Sequence, residues 1–191
     1  MDNDLRIHRV SVGLLGTNCY LLQRQGRNDC IVIDPGADPG RIRAAAGERR
    51  IAAILLTHGH FDHIGAVDAL LGDGCELVVH PLDADMLRDP ALNASWMVND
   101  TVTCARATRL AGEGELLTYA GVTLRVLHTP GHTPGSVCYE ADGCLFSGDT
   151  VFAMGYGRTD LPGGSDEEME ASLRRLAPLL RDHTLYGGHG G

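Results

Sequence analysis

The sequence predicts an α/β fold in which helices cover β-sheets, and three observations carry that expectation. Short apolar runs of strand length occur in both halves of the chain, helical patterns fall between them, and no Gly-rich linker divides the halves. At 191 residues the chain lies within the size range of one domain, so a single domain over 1–191 is expected.

In the first half, residues 19–22, 30–33, 51–56 and 76–79 read as strands, and in the second half residues 122–127, 136–139 and 144–146 do. Val122, Leu124 and Val126 alternate with Thr123, Arg125 and Leu127, largely the period-two pattern of a strand with one core face. Asp142-Gly143 is the residue pair of a tight hairpin turn. A first helix is expected where Asp38 can cap and Pro39 can take the first position, ahead of Ile42 and residues 44–46. A second is expected over residues 64–71. A third starts at Ser165, which forms a capping-box pattern with Glu168, carries Met169, Leu173 and Leu176 at helical spacing, and stops at Pro178.

Composition excludes several classes of function. No apolar run approaches the length that crosses a bilayer, and 43% hydrophobic residues is ordinary for a globular chain. A net charge of −9, from 16 Lys and Arg against 25 Asp and Glu, disfavours contact with a nucleic-acid backbone, although divalent ions in a pocket would reverse the local field. The expected partner is a small molecule, with neither nucleic acid nor membrane. Acidic residues stand in the first six positions where a secretory signal would be basic, so a cytoplasmic location is expected. Cys19, Cys30, Cys75, Cys104, Cys138 and Cys144 sit mostly in apolar segments without a Cys-x-x-Cys pair and read as reduced core thiols.

The sharpest signal is Thr57-His58-Gly59-His60-Phe61-Asp62-His63, directly after the apolar run 51–56. Packing does not call for three imidazoles and a carboxylate at such density, whereas a borderline-soft divalent ion does. Three further turns follow strand-like segments and add Gly131-His132-Thr133-Pro134, Ser147-Gly148-Asp149-Thr150 and Gly187-Gly188-His189-Gly190. Thr57-His58-Gly59-His60 and Thr129-Pro130-Gly131-His132 also echo one another weakly, as two halves sharing a central site would. No Gly-x-Ser-x-Gly elbow competes with a metal-based reading.

This pattern, His-x-His-x-Asp-His followed by a distant His, an Asp and a final His, resembles the metallo-β-lactamase superfamily. The likeness runs from Thr17-Asn18-Cys19-Tyr20 and Ile33-Asp34-Pro35-Gly36 to the C-terminus. The stretches from His128 to Gly135 and from Gly157 to Gly164 are similar to the glyoxalase II branch, particularly its short bacterial members. The resemblance implies a four-layer αβ/βα sandwich and two divalent metal ions, zinc first and iron or manganese as alternatives. It places His58, His60 and His132 on the first ion, Asp62, His63 and His189 on the second, and Asp149 between them. It also implies a metal-bound hydroxide oriented by Asp62, acting on a thioester such as S-lactoylglutathione or on a small ester. Asp149, where the best-known antibiotic-degrading branches carry cysteine, speaks against a β-lactam substrate.

Two alternatives stand beside this reading. One is a mono-iron persulfide dioxygenase using positions His58, His132 and Asp149; the other, of a different class, is a metal-binding redox or partner module without turnover. The sequence reaches Gly191 without the helical C-terminal domain of full-length glyoxalase II, so glutathione selectivity is not expected to carry over. His189, two residues before that end, is expected to be poorly anchored. Asp34 is a candidate to orient a ligand histidine or simply to form a turn. Arg158 is expected to pair with Asp160 or to face an anionic substrate, with Tyr156 as a candidate at the same entrance. His8, His80 and His183 are expected to lack partners, and His128 to point away from the site.

Overall fold

Continuous apolar stretches in the central strands give each sheet two buried faces, and three apolar layers result. The computed structural model describes residues 5–190; Asp2 and Asp4, on which the expected location rests, and Gly191 lie outside them. Strands β1 (Leu5–Val12), β2 (Thr17–Arg24), β3 (Asp29–Ile33), β4 (Arg50–Leu55), β5 (Glu76–Val79) and β6 (Arg109–Leu110) pair in that order as one sheet. The pairings from β3 to β6 are parallel, and the first two are antiparallel. The second sheet runs β11 (Thr184–Gly187), β10 (Cys144–Gly148), β9 (Val137–Ala141), β8 (Val122–His128), β7 (Leu116–Tyr119), with only β10–β11 parallel.

The outer face of the first sheet, through Val32, Ile54, Leu77 and Val79, packs on α1 (Pro39–Ala46), α2 (Phe61–Ile64) and α3 (Val67–Leu70). Its inner face, through Ile31, Ile33, Leu55 and Val78, meets Leu124, Val126, Tyr139 and Phe146 of the second sheet. The outer face of the second sheet, through Leu127, Cys138 and Leu145, is covered by Leu176 of α4 (Asp166–Leu176) and by Leu179 and Leu180 of α5 (Leu179–Asp182). Helix, sheet, sheet, helix is the expected four-layer sandwich. Each fully buried Leu or Ile contributes roughly 1.5–3 kcal/mol, so the layers hold by apolar burial. All six cysteines are free and buried within these layers. Among the described residues no helix is long and apolar enough to cross a membrane.

Most sequence expectations hold, with instructive departures. Asp142 (φ 48°) and Gly143 (φ 75°) make the tight β9–β10 hairpin. Ser165 Oγ accepts from Glu168 N at 3.3 Å, as the capping pattern requires, and Pro178 follows the end of α4. Asp38 does not cap α1 with its side chain; it adopts φ 52°, and its Oδ2 accepts from Gly13 N at 2.9 Å, tying α1 to the β1–β2 turn. The helix expected over 64–71 is two short turns, α2 and α3. Gly65 breaks it by packing against the Gly36 carbonyl, with Ala66 N bonded to Pro35 O at 2.9 Å. Strands β1, β6, β7 and β11 were not among the expected strands; β1 is an edge strand whose polar residues mask its alternation.

Two histidines expected to be unpartnered are not. His183 Nε2 lies 3.1 Å from Glu140 Oε1. His80, just past β5, stacks on His128 at the end of β8, with ring centroids 4.2 Å apart and planes 7° from parallel. His128 Nε2 donates to Pro134 O at 2.9 Å and so faces away from the histidine cluster.

Burial, aided by His128, lowers His80 to about 4, against an unfolded value of about 6.5. Protons then bind the unfolded chain more tightly, and the stabilising contribution is lost as pH falls from about 6.5 toward 4. The urea midpoint of His80→Gln is therefore expected to fall less than the parent's between pH 7 and 4. An unchanged pH slope would refute this.

Candidate metal centre

Four strand ends deliver the side chains singled out in the sequence. His58 and His60 follow β4, Asp62 and His63 lie on α2, His132 sits in the turn after β8, Asp149 follows β10 and His189 follows β11. All seven come together. Ligand-type atoms of His58, His60 and His132 lie within 4.8 Å of one another, as do those of Asp62, His63 and His189, and those of His58, His63 and Asp149. Asp149 spans the two halves: Oδ2 lies 3.5 Å from His132 Nε2 and 3.4 Å from His189 Nε2, and Oδ1 lies 3.4 Å from His63 Nε2. Asp62 Oδ2 is 3.2 Å from His189 Nε2 and 3.5 Å from His63 Nε2.

The backbone around these groups leaves no room for alternatives at two glycines. Gly148 has φ 49°, and a Cβ there would overlap the Thr57 side chain; one at Gly188 would overlap Asp149 Oδ1. Small residues let the β10 and β11 ends converge on Asp149.

Far ring nitrogens are held, so near ones point inward. His132 Nδ1 donates to the Arg158 carbonyl at 2.7 Å, His189 Nδ1 to the Leu15 carbonyl at 3.2 Å, and His58 Nδ1 meets Thr57 Oγ1 at 3.1 Å. His63 Nδ1 lies 3.1 Å from Asp34 Oδ2, while Asp34 accepts from Thr57 N at 2.8 Å and Thr57 Oγ1 at 2.7 Å. Asp34 thus stands against His63 as a charge contact, without an aligned hydrogen bond to its Nδ1, and is more than a turn former. Such outer contacts fix ring tautomer and aim. Arg158 Nε and Asp160 Oδ1 pair at 2.6 Å, the structural role the sequence suggested; the Arg158 carbonyl that holds His132 was not foreseen. Tyr156 is exposed.

Buried polar atoms ordinarily find partners. His58 Nε2, His60 Nε2, both ring nitrogens of His63 and Asp149 Oδ1 are buried and form no hydrogen bond among the described residues. Burial acts against charge throughout the cluster. It carries His58 well below the usual imidazole value, with His63, His132 and His60 adding to the effect. At His63 burial is outweighed by Asp62, Asp149 and Asp34, which hold the imidazole well above its usual value. Five imidazoles and two carboxylates without a thiolate form a donor set suited to divalent metal ions. The residues present fit the expected ions.

His189 is better anchored than its position in the chain suggested. Asn18 Nδ2 donates to Gly187 O at 3.0 Å and Gly190 O at 2.7 Å, Tyr20 Oη to Gly187 O at 2.6 Å, and Asn18 N to Gly188 O at 2.7 Å. Strand β2 clamps both sides of the histidine.

Asp83, which sequence reasoning passed over, is fully buried in the 3-10 turn Pro81–Leu87. Its Oδ2 accepts from Gly59 N at 3.0 Å and Thr133 Oγ1 at 2.7 Å, and its Oδ1 from Gly135 N at 2.7 Å. One carboxylate therefore joins the His58–His60 loop to the His132 loop. Asp83→Ala leaves buried donors unmatched, at roughly 1–3 kcal/mol each. We expect a loss of about 3 kcal/mol in urea unfolding together with lower metal content; parent-like values of both would show that Asp83 carries no such linkage.

The Metallo-beta-lactamase superfamily profile matches residues 12–189. A probable metallo-hydrolase of Bacillus subtilis is 38% identical, with 97% of this chain and 90% of that protein covered. A hydroxyacylglutathione hydrolase of Aeromonas hydrophila is also 38% identical over 89% of this chain, which spans only 60% of that protein. The crystal structure of the B3 metallo-β-lactamase BLEG-1 superposes with a TM-score of 0.90 at 36% identity, covering 97% of this chain and 92% of that one. That of TTHA1623 in a di-iron-bound form gives 0.82 at 35%, covering 96% and 92%. Profile, relatives and architecture agree with the clustered histidines and aspartates: this chain belongs to the metallo-β-lactamase superfamily.

Proposed function

We propose that this chain is a metal-dependent hydrolase of small thioesters, of the S-lactoylglutathione kind, or of small esters. The observation that carries the reading is the pair of inward-facing groups, His58, His60, His132 and Asp62, His63, His189, with Asp149 within 3.5 Å of both. Two divalent ions bound there would lower the pKa of a shared water toward neutrality and polarise a substrate carbonyl.

The protein's own groups do the positioning. Asp62 is fixed by Thr17 Oγ1, which donates to Oδ2 at 2.8 Å, and it stands beside both His63 and His189. That places it to orient an attacking water. Asp34, the Leu15 carbonyl and the Arg158 carbonyl keep the imidazoles aimed at the centre. The similarity to a hydroxyacylglutathione hydrolase supports a thioester, while covering 60% of that protein leaves glutathione selectivity uncarried.

A mono-iron persulfide dioxygenase would need only His58, His132 and Asp149 and would leave the group around Asp62 without a use. The converged second group favours hydrolysis. Asp149 by itself does not set aside a β-lactam substrate, since a 36% identical neighbour is a B3 metallo-β-lactamase. The donor set accepts zinc, iron or manganese, and a di-iron-bound neighbour supports iron alongside zinc.

Purified protein is expected to carry up to two transition-metal ions per chain and to hydrolyse S-lactoylglutathione in preference to penicillin or glutathione persulfide. Elemental analysis finding no metal, even after incubation with added ions, would overturn the reading. Asp62→Asn should lower kcat by at least about 100-fold while metal is retained; near-parental turnover would remove Asp62 from the reaction. The second group also holds the more exposed members, with the Asp62 and His189 side chains 13% and 25% exposed although its His63 is fully buried, against 3% at His132. Titration of zinc into apo protein should therefore show a tighter and a weaker site, and His189→Ala should abolish the weaker. Two equally tight sites would contradict that ordering.

A further inference from the structure

Beside the metal cluster lies a cleft of about 300 Å³ with Asp62 and Thr17 at its inner end. Its walls are apolar: Leu14 and Leu15 from the β1–β2 turn, Phe61 next to Asp62, and Val98 and Val102 from the long segment between β5 and β6. Leu14 is 101% exposed, Leu15 53% and Val98 42%. Large apolar side chains held in solvent at the mouth of a reactive site are costly unless something covers them.

The wall is built, not incidental. Gly13 and Gly16, at φ 67° and 66°, close the turn that projects the two leucines. Gly13 N bonds to Asp38 at 2.9 Å, and the Leu15 carbonyl accepts from His189 Nδ1 at 3.2 Å. The turn is thereby fastened to α1 on one side and to the metal cluster on the other. Its lining holds no Lys or Arg, and the charged residues there are Asp62 and Asp100. The cleft wall itself therefore offers an entering chain apolar surface and no basic side chain to pair an anionic group.

We infer that this cleft binds an uncharged apolar acyl chain of the substrate, so that the enzyme prefers medium-chain acyl thioesters or esters over short polar ones. The inference rests on the hydrolase reading above and narrows its substrate class: among small thioesters and esters, those with a longer apolar acyl group are preferred to short polar ones such as the lactoyl thioester. A methylene moved from water into such a cleft favours binding by up to about fourfold, and a half-open cleft gives less. From acetyl to hexanoyl, kcat/KM should rise roughly 30-fold, at about two- to threefold per methylene.

The experiment uses S-acyl N-acetylcysteamine thioesters from acetyl to hexanoyl, and in a second series one acyl group with thiols of increasing length. The rise is expected in the first series and not in the second. Leu14→Asp, at a fully exposed position where folding is not at risk, and Val98→Asp should each cut the hexanoyl-to-acetyl ratio by about tenfold. A flat acyl series, a rise only with thiol length, or unchanged ratios in both variants would overturn the inference. Trp96, the single tryptophan of the chain, lies two residues before Val98 and is 56% exposed, so its fluorescence gives a readout free of turnover. Saturable quenching by 2-octanone in the holoprotein, lost in Val98→Asp, supports the cleft even if no thioester is hydrolysed. Absence of saturation in the parent counts against it.

Discussion

The apolar contact between the two sheets sets the distance between the halves of the metal cluster. His60 and His132 are 72 residues apart in sequence, yet His60 Nδ1 and His132 Nε2 sit 2.8 Å apart. No local preference brings them together. Ile31, Ile33 and Leu55 of one sheet pack on Leu124, Val126 and Tyr139 of the other, and the strand ends follow. Two hydrogen bonds then lock the seam at its functional edge: Tyr139 Oη to the Leu56 carbonyl at 2.8 Å, and Val137 N to the Thr57 carbonyl at 2.8 Å. A shift between the sheets would therefore break buried bonds as well as apolar contact. Buried bonds at their roots give the ligand loops a rigid base.

That rigidity carries a cost, since five imidazoles and two carboxylates are gathered with several inward atoms unmatched. Such a cluster is tolerable where surrounding polar groups fix it and a cation completes it. The surroundings here come from widely separated parts of the chain. Asp34 reaches in from the end of β3, Asp83 from the turn after β5, the Leu15 carbonyl from the β1–β2 turn, and the Arg158 carbonyl from beyond β10. Two of these four are backbone carbonyls.

This mixture explains how much could be read in the sequence. The seven clustered side chains were legible because their chemistry has no ordinary packing use and because each follows a strand-like run. The buried strands were legible from continuous apolar runs such as residues 51–56. Asp34 was half legible, since Asp before Pro-Gly also suits a turn. Asp83 was not, because Pro81-Leu82-Asp83 reads as an unremarkable helical start and its three donors lie 24 to 52 residues away. Backbone carbonyls leave no trace in residue identity at all. The broken helix after His63 escaped for a related reason: the contact of Gly65 with Gly36 is tertiary, and the local pattern gives no hint of it. The anchoring of His189 depends on Asn18 and Tyr20, more than 160 residues earlier in the chain.

The cluster is also graded from inside to outside, which gives the site a direction. His58, His60 and His132 are 1–3% exposed, whereas the side chains of Asp62 and His189 are 13% and 25% exposed. Any molecule approaching from solvent meets Asp62 and His189 first, beside the apolar wall of Leu14 and Leu15. The same β1–β2 turn supplies the Leu15 carbonyl, which holds His189, and leads directly into Thr17, the first residue of β2, which holds Asp62. The residues expected to steer a nucleophile and those expected to receive a substrate are thus fastened to one short turn. Movement of that turn would disturb orientation and recognition together while leaving the inner histidines, held by Thr57 and the Arg158 carbonyl, in place. Exposure thus rises from the inner histidines and His63 to Asp62 and His189, and the gradient follows from which strand ends are buried between the sheets and which open at their edge.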